Sequence, residues 1–200
     1  MTAAASAKLD KLRDRTLVSV LAYSGPRPEE VVFRLAWEDI GERAVRYRDQ
    51  KRHRVRFTPL LVPLAEDLRE WFLACGRPSA RTPVFPAHDD GFWDPDDWRN
   101  WRNRVWKGEQ VRPANDRRPN PRPPGAAPAG TRPRDLRSSY ITLRVYEGVP
   151  LTTISKEVGT SVQMIEQHYA GVIENWDGQR IPAEDQIRTA REQRILRSTG

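Results

Sequence analysis

The stretch from Val111 to Pro133 constrains this chain more than any other. It mixes Pro, Arg, Asn, Gly and Ala with almost no apolar side chains. Proline removes backbone donors, and so little apolar surface cannot offset the entropy of ordering the segment, so no packed element forms there. The segment reads as a flexible basic loop, and the core must be assembled from what lies on either side. In a chain of 200 residues that leaves room for one sizeable core and not for a second full domain.

A formal charge of +7 favours a polyanionic partner, either nucleic acid or an anionic membrane surface. No apolar run is long enough to span a bilayer, and the opening MTAAASAKLDKL has neither the apolar centre nor the cleavage pattern of a secretion signal. A soluble, cytoplasmic protein is expected. Cys75 is the only cysteine, and His53, His88 and His168 are scattered rather than set at metal-ligand spacing, so neither a disulfide framework nor a metal site is expected. Cys75 follows Trp71-Phe72-Leu73-Ala74 and reads as a core residue. Arginine greatly outnumbers lysine, which makes each lysine an informative choice.

Apolar periodicity predicts a first helix over Lys8 to Tyr23, closed by Ser24-Gly25-Pro26, and a short one from Pro28 to about Arg34. Trp37 to Ile40, Ala44 to Asp49 and Arg54 to Leu60 read as three antiparallel strands, followed by an amphipathic helix over Pro63 to Cys75. Asp94-Pro95 is a helix start, and Trp98, Trp101 and Val105 then recur at helical spacing, which favours core packing over a base-stacking platform. Beyond the loop, helices are expected at about Asp135 to Glu147, Leu151 to Val158 and Val162 to Ala170, with Gly148 and Gly159 as stops. A last amphipathic helix, about Ala183 to Leu196, packs in cis or docks on a neighbouring molecule. The expected class is α+β, mainly helical with a small three-stranded antiparallel sheet.

Four places carry candidate chemistry. Arg27 lies between a helix stop and a helix start, where its fork can point out of the scaffold. Lys51 opens the basic turn Lys51-Arg52-His53-Arg54, and unlike the arginines around it lysine can give up a proton at accessible pH, so it is a candidate general acid. Arg134-Asp135-Leu136-Arg137 opens a helix, and Tyr169 sits near a helix end before Gly171. Taken singly, each also fits a solvated or salt-bridged surface.

Their order and spacing are more telling. Gly-x-Arg-x-x-Glu, then Leu35-x-Trp37-x-Asp39, a hairpin lysine eight residues before Pro59, an Asp-Leu-Arg helix start, and a tyrosine nine residues after Thr160 together resemble the catalytic domain of the tyrosine recombinase (phage integrase) family. The resemblance covers about Thr16 to Val172. It implies that Arg27 and Arg137 are the two phosphate-binding arginines, Lys51 the hairpin lysine and Tyr169 the nucleophile. Two positions depart from the family pattern: Arg134 stands where histidine is usual, and Thr160 where histidine or tryptophan is usual. Arg134 cannot act as a base at neutral pH, and Thr160 offers only one neutral donor. His53, on the strand face expected for Lys51, is a candidate to compensate. His168 points roughly 100° away from Tyr169 around the helix and reads as a packing or surface residue.

The implied function is site-specific recombination or integration of DNA through a 3′-phosphotyrosine intermediate, with no metal or nucleotide cofactor, on double-stranded DNA and as a multimer assembled there. A bacterial or phage-derived, nucleoid-associated protein fits that role. The expected organisation is one catalytic domain over residues 1–200, with its core at about 9–172, the loop at 111–133 and a helical tail at 173–200, lacking the N-terminal core-binding domain usual in the family. The alternative is a catalytically weakened DNA-binding remnant of such an enzyme. A third reading, a basic structural domain, requires that Arg27, Lys51, Arg137 and Tyr169 lie in separate regions.

Overall fold

A computed structural model describes residues 3–49, 54–108, 126–175 and 178–199. Lys51, His53 and most of the Val111–Pro133 stretch lie outside the described residues.

Helix α1, Ala3–Ser24, buries Leu17, Val20 and Leu21 on one stripe. It ends where Gly25 takes φ +61°, a left-handed conformation that side-chain-bearing residues avoid; a Cβ there would lie 2.7 Å from Tyr140 Cδ1. Pro28 then starts α2, Pro28–Val32, its fixed φ being suited to a first helical turn.

Strands β1, Ala44–Asp49, and β2, Arg54–Pro59, form an antiparallel pair running from Ala44↔Pro59 to Asp49↔Arg54. Among the described residues the sheet has these two strands and not the three expected. Trp37–Asp39 instead forms a 3-10 turn. The cause is Asp39, whose carboxylate accepts from the Ala36 amide at 3.2 Å and holds Arg46 at 2.7 Å and Arg48 at 2.9 Å. A local side chain to backbone bond of this kind competes with strand pairing. What survives of the third strand is two isolated bridges, Ala36 to Pro83 and Ile40 to Val45.

Helix α3, Val62–Ala74, follows, then α4, Pro95–Trp101, whose start is capped by Asp94 Oδ1 accepting from the amides of Asp96 and Asp97, both at 2.8 Å. It continues into one π-helical turn, Arg102–Trp106. Trp98 and Trp101 are buried and stack at 5.2 Å, as core packing requires. After a 3-10 turn at Pro133–Asp135 come α5, Leu136–Tyr146, α6, Leu151–Val158, α7, Val162–Glu174, and α8, Ala183–Thr199.

The apolar interior falls into two main clusters. One joins α1, α2, the hairpin, α3 and the tryptophans; the other joins Tyr140, Ile141, Val145, Ile154, Val158 and Ile165 of α5, α6 and α7. Helix α8 packs in cis: Ala183 and Ile187 close over Leu61, and Glu184 accepts from the Val62 amide at 2.9 Å. No helix among the described residues is long and apolar enough to cross a membrane.

Candidate active site

Helix α6 ends at Val158 with its last carbonyls unpaired within the helix, and Gly159, at φ +68° and ψ +45°, turns the chain away. Two arginines from other elements fill the vacancy. Arg56 of β2 donates through Nη1 to Glu157 O at 3.0 Å, and Arg137 of α5 donates through Nη2 to Val158 O. The carbonyl end of a helix carries partial negative charge, so two cations are stabilised there.

Arg137 also donates through Nη1 to Gly25 O at 3.0 Å, which ties it to the turn carrying Arg27. Burial pulls its pKa down to about 10, helped by the like charges of Arg56 and Arg27 and opposed by Glu30 and Tyr169. At neutral pH it is still cationic. Arg27 is extended (φ −74°, ψ 140°) between two prolines, with its side chain 45 % exposed. Its amide donates to Glu30 Oε2 at 2.7 Å, and its Nη1 stands 3.6 Å from Glu30 Oε1. Glu30 is buried and also pairs with Arg56 Nη2. Glu30 lies in the first turn of α2, where a carboxylate meets the positive end of the helix, and it is shared between two guanidiniums.

Tyr169 lies within the span of α7 but at φ −121° and ψ 16°, which are not helical angles, so the helix kinks at this residue. Its ring packs against the second apolar cluster, and its Oη donates to Ser138 Oγ at 2.9 Å, one residue beyond Arg137. Arg27, Arg137 and Tyr169 therefore occupy one neighbourhood at the junction of α2, α5, α6 and α7. These are three of the four residues that a merely structural basic domain would keep in separate regions; the fourth, Lys51, lies outside the described residues.

The other candidates are placed differently. Thr160 follows the Gly159 turn, its amide donating to Ser155 O at 3.2 Å, and it lines a cleft of about 700 Å³ together with Arg43, Arg54 and Lys156. Arg134 is exposed on the 3-10 turn, about one helical turn before Arg137. His168 is exposed, with Nδ1 3.0 Å from Met164 O. Lys51 and His53 lie outside the described residues. Among the described residues no three His, Cys, Asp or Glu side chains cluster closely enough to hold a metal ion.

Sequence reasoning assigned no role to Arg56 or Ser138. The pattern of β2 points the wrong way for Arg56: alternation would put Val55 and Phe57 inward, yet they are 55 % and 62 % exposed, while Thr58 is fully buried and the Arg56 side chain is 9 % exposed.

No protein-family profile matches the sequence, and no curated protein matches it either. Solved structures do. The XerA recombinase structure aligns with a TM-score of 0.57 at 18% identity, over 96% of this chain and 64% of that one. The XerH site-specific recombinase bound to difH substrate, in a pre-cleavage complex, aligns at 0.52 and 17%, over 90% and 49%. The Tn1549 transposon integrase (residues 82–397) in complex with circular intermediate DNA aligns at 0.52 and 15%, over 96% and 66%. The chain spans about half to two thirds of the length of these structures. What it shares with them, at these identities, is the mainly helical tyrosine recombinase fold with its small antiparallel sheet.

Proposed function

We propose that this chain breaks and rejoins double-stranded DNA at specific sites through a covalent 3′-phosphotyrosine. The observation that carries the reading is the grouping of Arg137 with Arg27 and Tyr169, in which Arg137 binds the turn before Arg27 and adjoins the serine that holds Tyr169.

The chemistry follows from the side chains. Arg27 and Arg137 bind the non-bridging oxygens of a backbone phosphate and neutralise the charge that builds at phosphorus, usually the largest catalytic contribution. Tyr169 gives up its phenolic proton to solvent water as its Oη attacks phosphorus; the new Oη–P bond forms as the P–O5′ bond breaks, and the 5′-oxygen leaves as a hydroxyl. Lys51 is the proposed donor of its proton, on the strength of its place in the sequence. Attack by that hydroxyl reverses the step, so rejoining draws on the phosphotyrosine bond and needs no nucleotide. Thr160 and Arg134 stand where stronger or titratable partners are usual, and their neutral or fixed-charge donors predict slow turnover. Assembly of several copies on DNA belongs to the same proposal.

A library of nicked suicide duplexes of randomised sequence tests the reading whatever the target site. Wild type is expected to yield a covalent adduct stable to denaturing detergent, and Tyr169→Phe none. Salt-sensitive DNA binding with no wild-type adduct would replace the enzyme by the DNA-binding remnant.

A further inference from the structure

We infer that Arg56 is a positioning residue for the phosphate-binding arginines, holding Arg27 by way of Glu30 and Arg137 by way of the end of α6. The inference rests on reading this site as one that binds a DNA phosphate. Arg56 itself is buried and is not assigned a contact with DNA.

The geometry requires an arginine. One face of the guanidinium lies over the Tyr47 ring, 4.5 Å from its centroid, and Tyr47 Oη is 2.6 Å from Ser24 Oγ at the end of α1. In the plane of the fork, Nη2 pairs with Glu30, while Nη1 reaches Glu157 O at 3.0 Å and Thr58 Oγ1 at 3.4 Å. Only a planar cation with several fixed donors serves an aromatic floor, a carboxylate and a helix terminus at once; an ammonium reaches one or two of them. Gly159 leaves the space, since a Cβ there would lie 3.2 Å from Arg56 Cδ.

The placement is costly unless it does something. Burying a third guanidinium near Arg27 and Arg137 sets like charges together in a region of low dielectric, and the charge of Arg56 works against that of Arg137. Glu30 compensates one charge and is itself shared with Arg27. A leucine would fill the same space without that repulsion, but it would leave Glu30 and the Glu157 carbonyl without this partner, and the two helix ends that carry Arg27 and Arg137 without a common tie.

Two measurements on the full chain test this, with Arg56→Lys and Arg56→Met. The first is single-turnover adduct formation, well below the unfolding temperature, on a duplex selected from the randomised library, with DNA affinity measured in parallel. A displacement of about 1 Å costs on the order of 10²-fold in rate, so both variants are expected to lose about that much while the Kd changes by less than about 3-fold, since the phosphate contacts themselves remain. Unchanged rates, or rate and affinity falling together, would overturn the inference.

The second needs no DNA: ¹⁵N relaxation of arginine Nε groups in wild type and Arg56→Lys. Arg27 and Arg137 are expected to lose order together while Arg13, on α1, does not; retained order at both overturns the inference whether or not the protein cleaves DNA. If Arg56→Met does not fold, Arg56→Lys decides alone. Absence of a wild-type adduct counts against the catalytic proposal only.

Discussion

Tyr169 Oη donates a hydrogen bond to Ser138 Oγ, 2.9 Å away on α5. That bond holds the ring against the helix rather than toward an incoming phosphate, and it must break before Oη can reach phosphorus. A net hydrogen bond is worth about 1 kcal/mol, so Ser138→Ala is expected to speed adduct formation up to about 5-fold. A slower Ser138→Ala enzyme in the same single-turnover assay would mean that the serine assists the attack.

Two glycines make a graded pair. Both have positive φ, +61° at Gly25 and +68° at Gly159, but an added Cβ meets Tyr140 Cδ1 at 2.7 Å in the first and Arg56 Cδ at 3.2 Å in the second. The backbone cost alone is about 1–2 kcal/mol. Gly159→Ala should therefore lower the melting temperature by roughly 2–8 °C for a chain of this size, and Gly25→Ala by more, because an aromatic ring in the core yields less than the stem of an arginine. Scanning calorimetry orders the two, and the reverse order would contradict this account.

Glu157 is the stability centre of the second cluster. Its carboxylate accepts from Arg144 Nη2 at 2.9 Å and from Tyr140 Oη at 2.7 Å, with both charged side chains at or below 10 % exposure. Removing that carboxylate leaves Arg144 its ion pair with Glu147 but takes two charge-assisted bonds from Arg144 and the acceptor from Tyr140 Oη, so Glu157→Ala should cost about 3 kcal/mol in urea unfolding. Tyr140→Phe deletes one hydrogen bond and should cost about 1 kcal/mol. Similar losses in the two variants would show that the ion pair is not what the carboxylate is there for.

Cys75 offers a test of local burial. Burial pushes its thiol up to about 11, against about 8.5 for a free thiol, and only the thiolate is nucleophilic. At pH 8 its thiolate fraction is lower than that of free cysteine by on the order of 10²-fold. Alkylation by iodoacetamide should be slowed about as much in the native protein and return to the free rate in denaturant. It is the one cysteine in the sequence, so the label is unambiguous.

Helices with glycine stops or proline starts were legible: α6 ends at Gly159 and α2 begins at Pro28 as the local chemistry demands. Both hairpin strands fall within a residue of their expected limits. The third strand was not legible, because the choice between strand and turn at Trp37–Asp39 is made by Arg46 and Arg48 reaching back from β1 to Asp39. Nor was the facing of β2, since the partners that draw Arg56 inward, Glu30 and the Glu157 carbonyl, are 26 and 101 residues away in sequence. Spacing singled out Arg27, Arg137 and Tyr169 but could not show the kink at Tyr169 or its bond to Ser138. Those depend on how α5 and α7 pack.

Arg27 projects from the turn between α1 and α2, which are packed into one apolar cluster, while Ser138 and Tyr169 ride on the helices of the other. The distance between the first arginine and the tyrosine is therefore not a property of either side chain but of how two separate interiors are filled. Selection acting on Val31 or Ile165, neither of which will ever meet a ligand, is selection on that distance. A lineage that lost a methyl group in one interior could regain the spacing by adding one in the other, with every polar residue of the site left untouched.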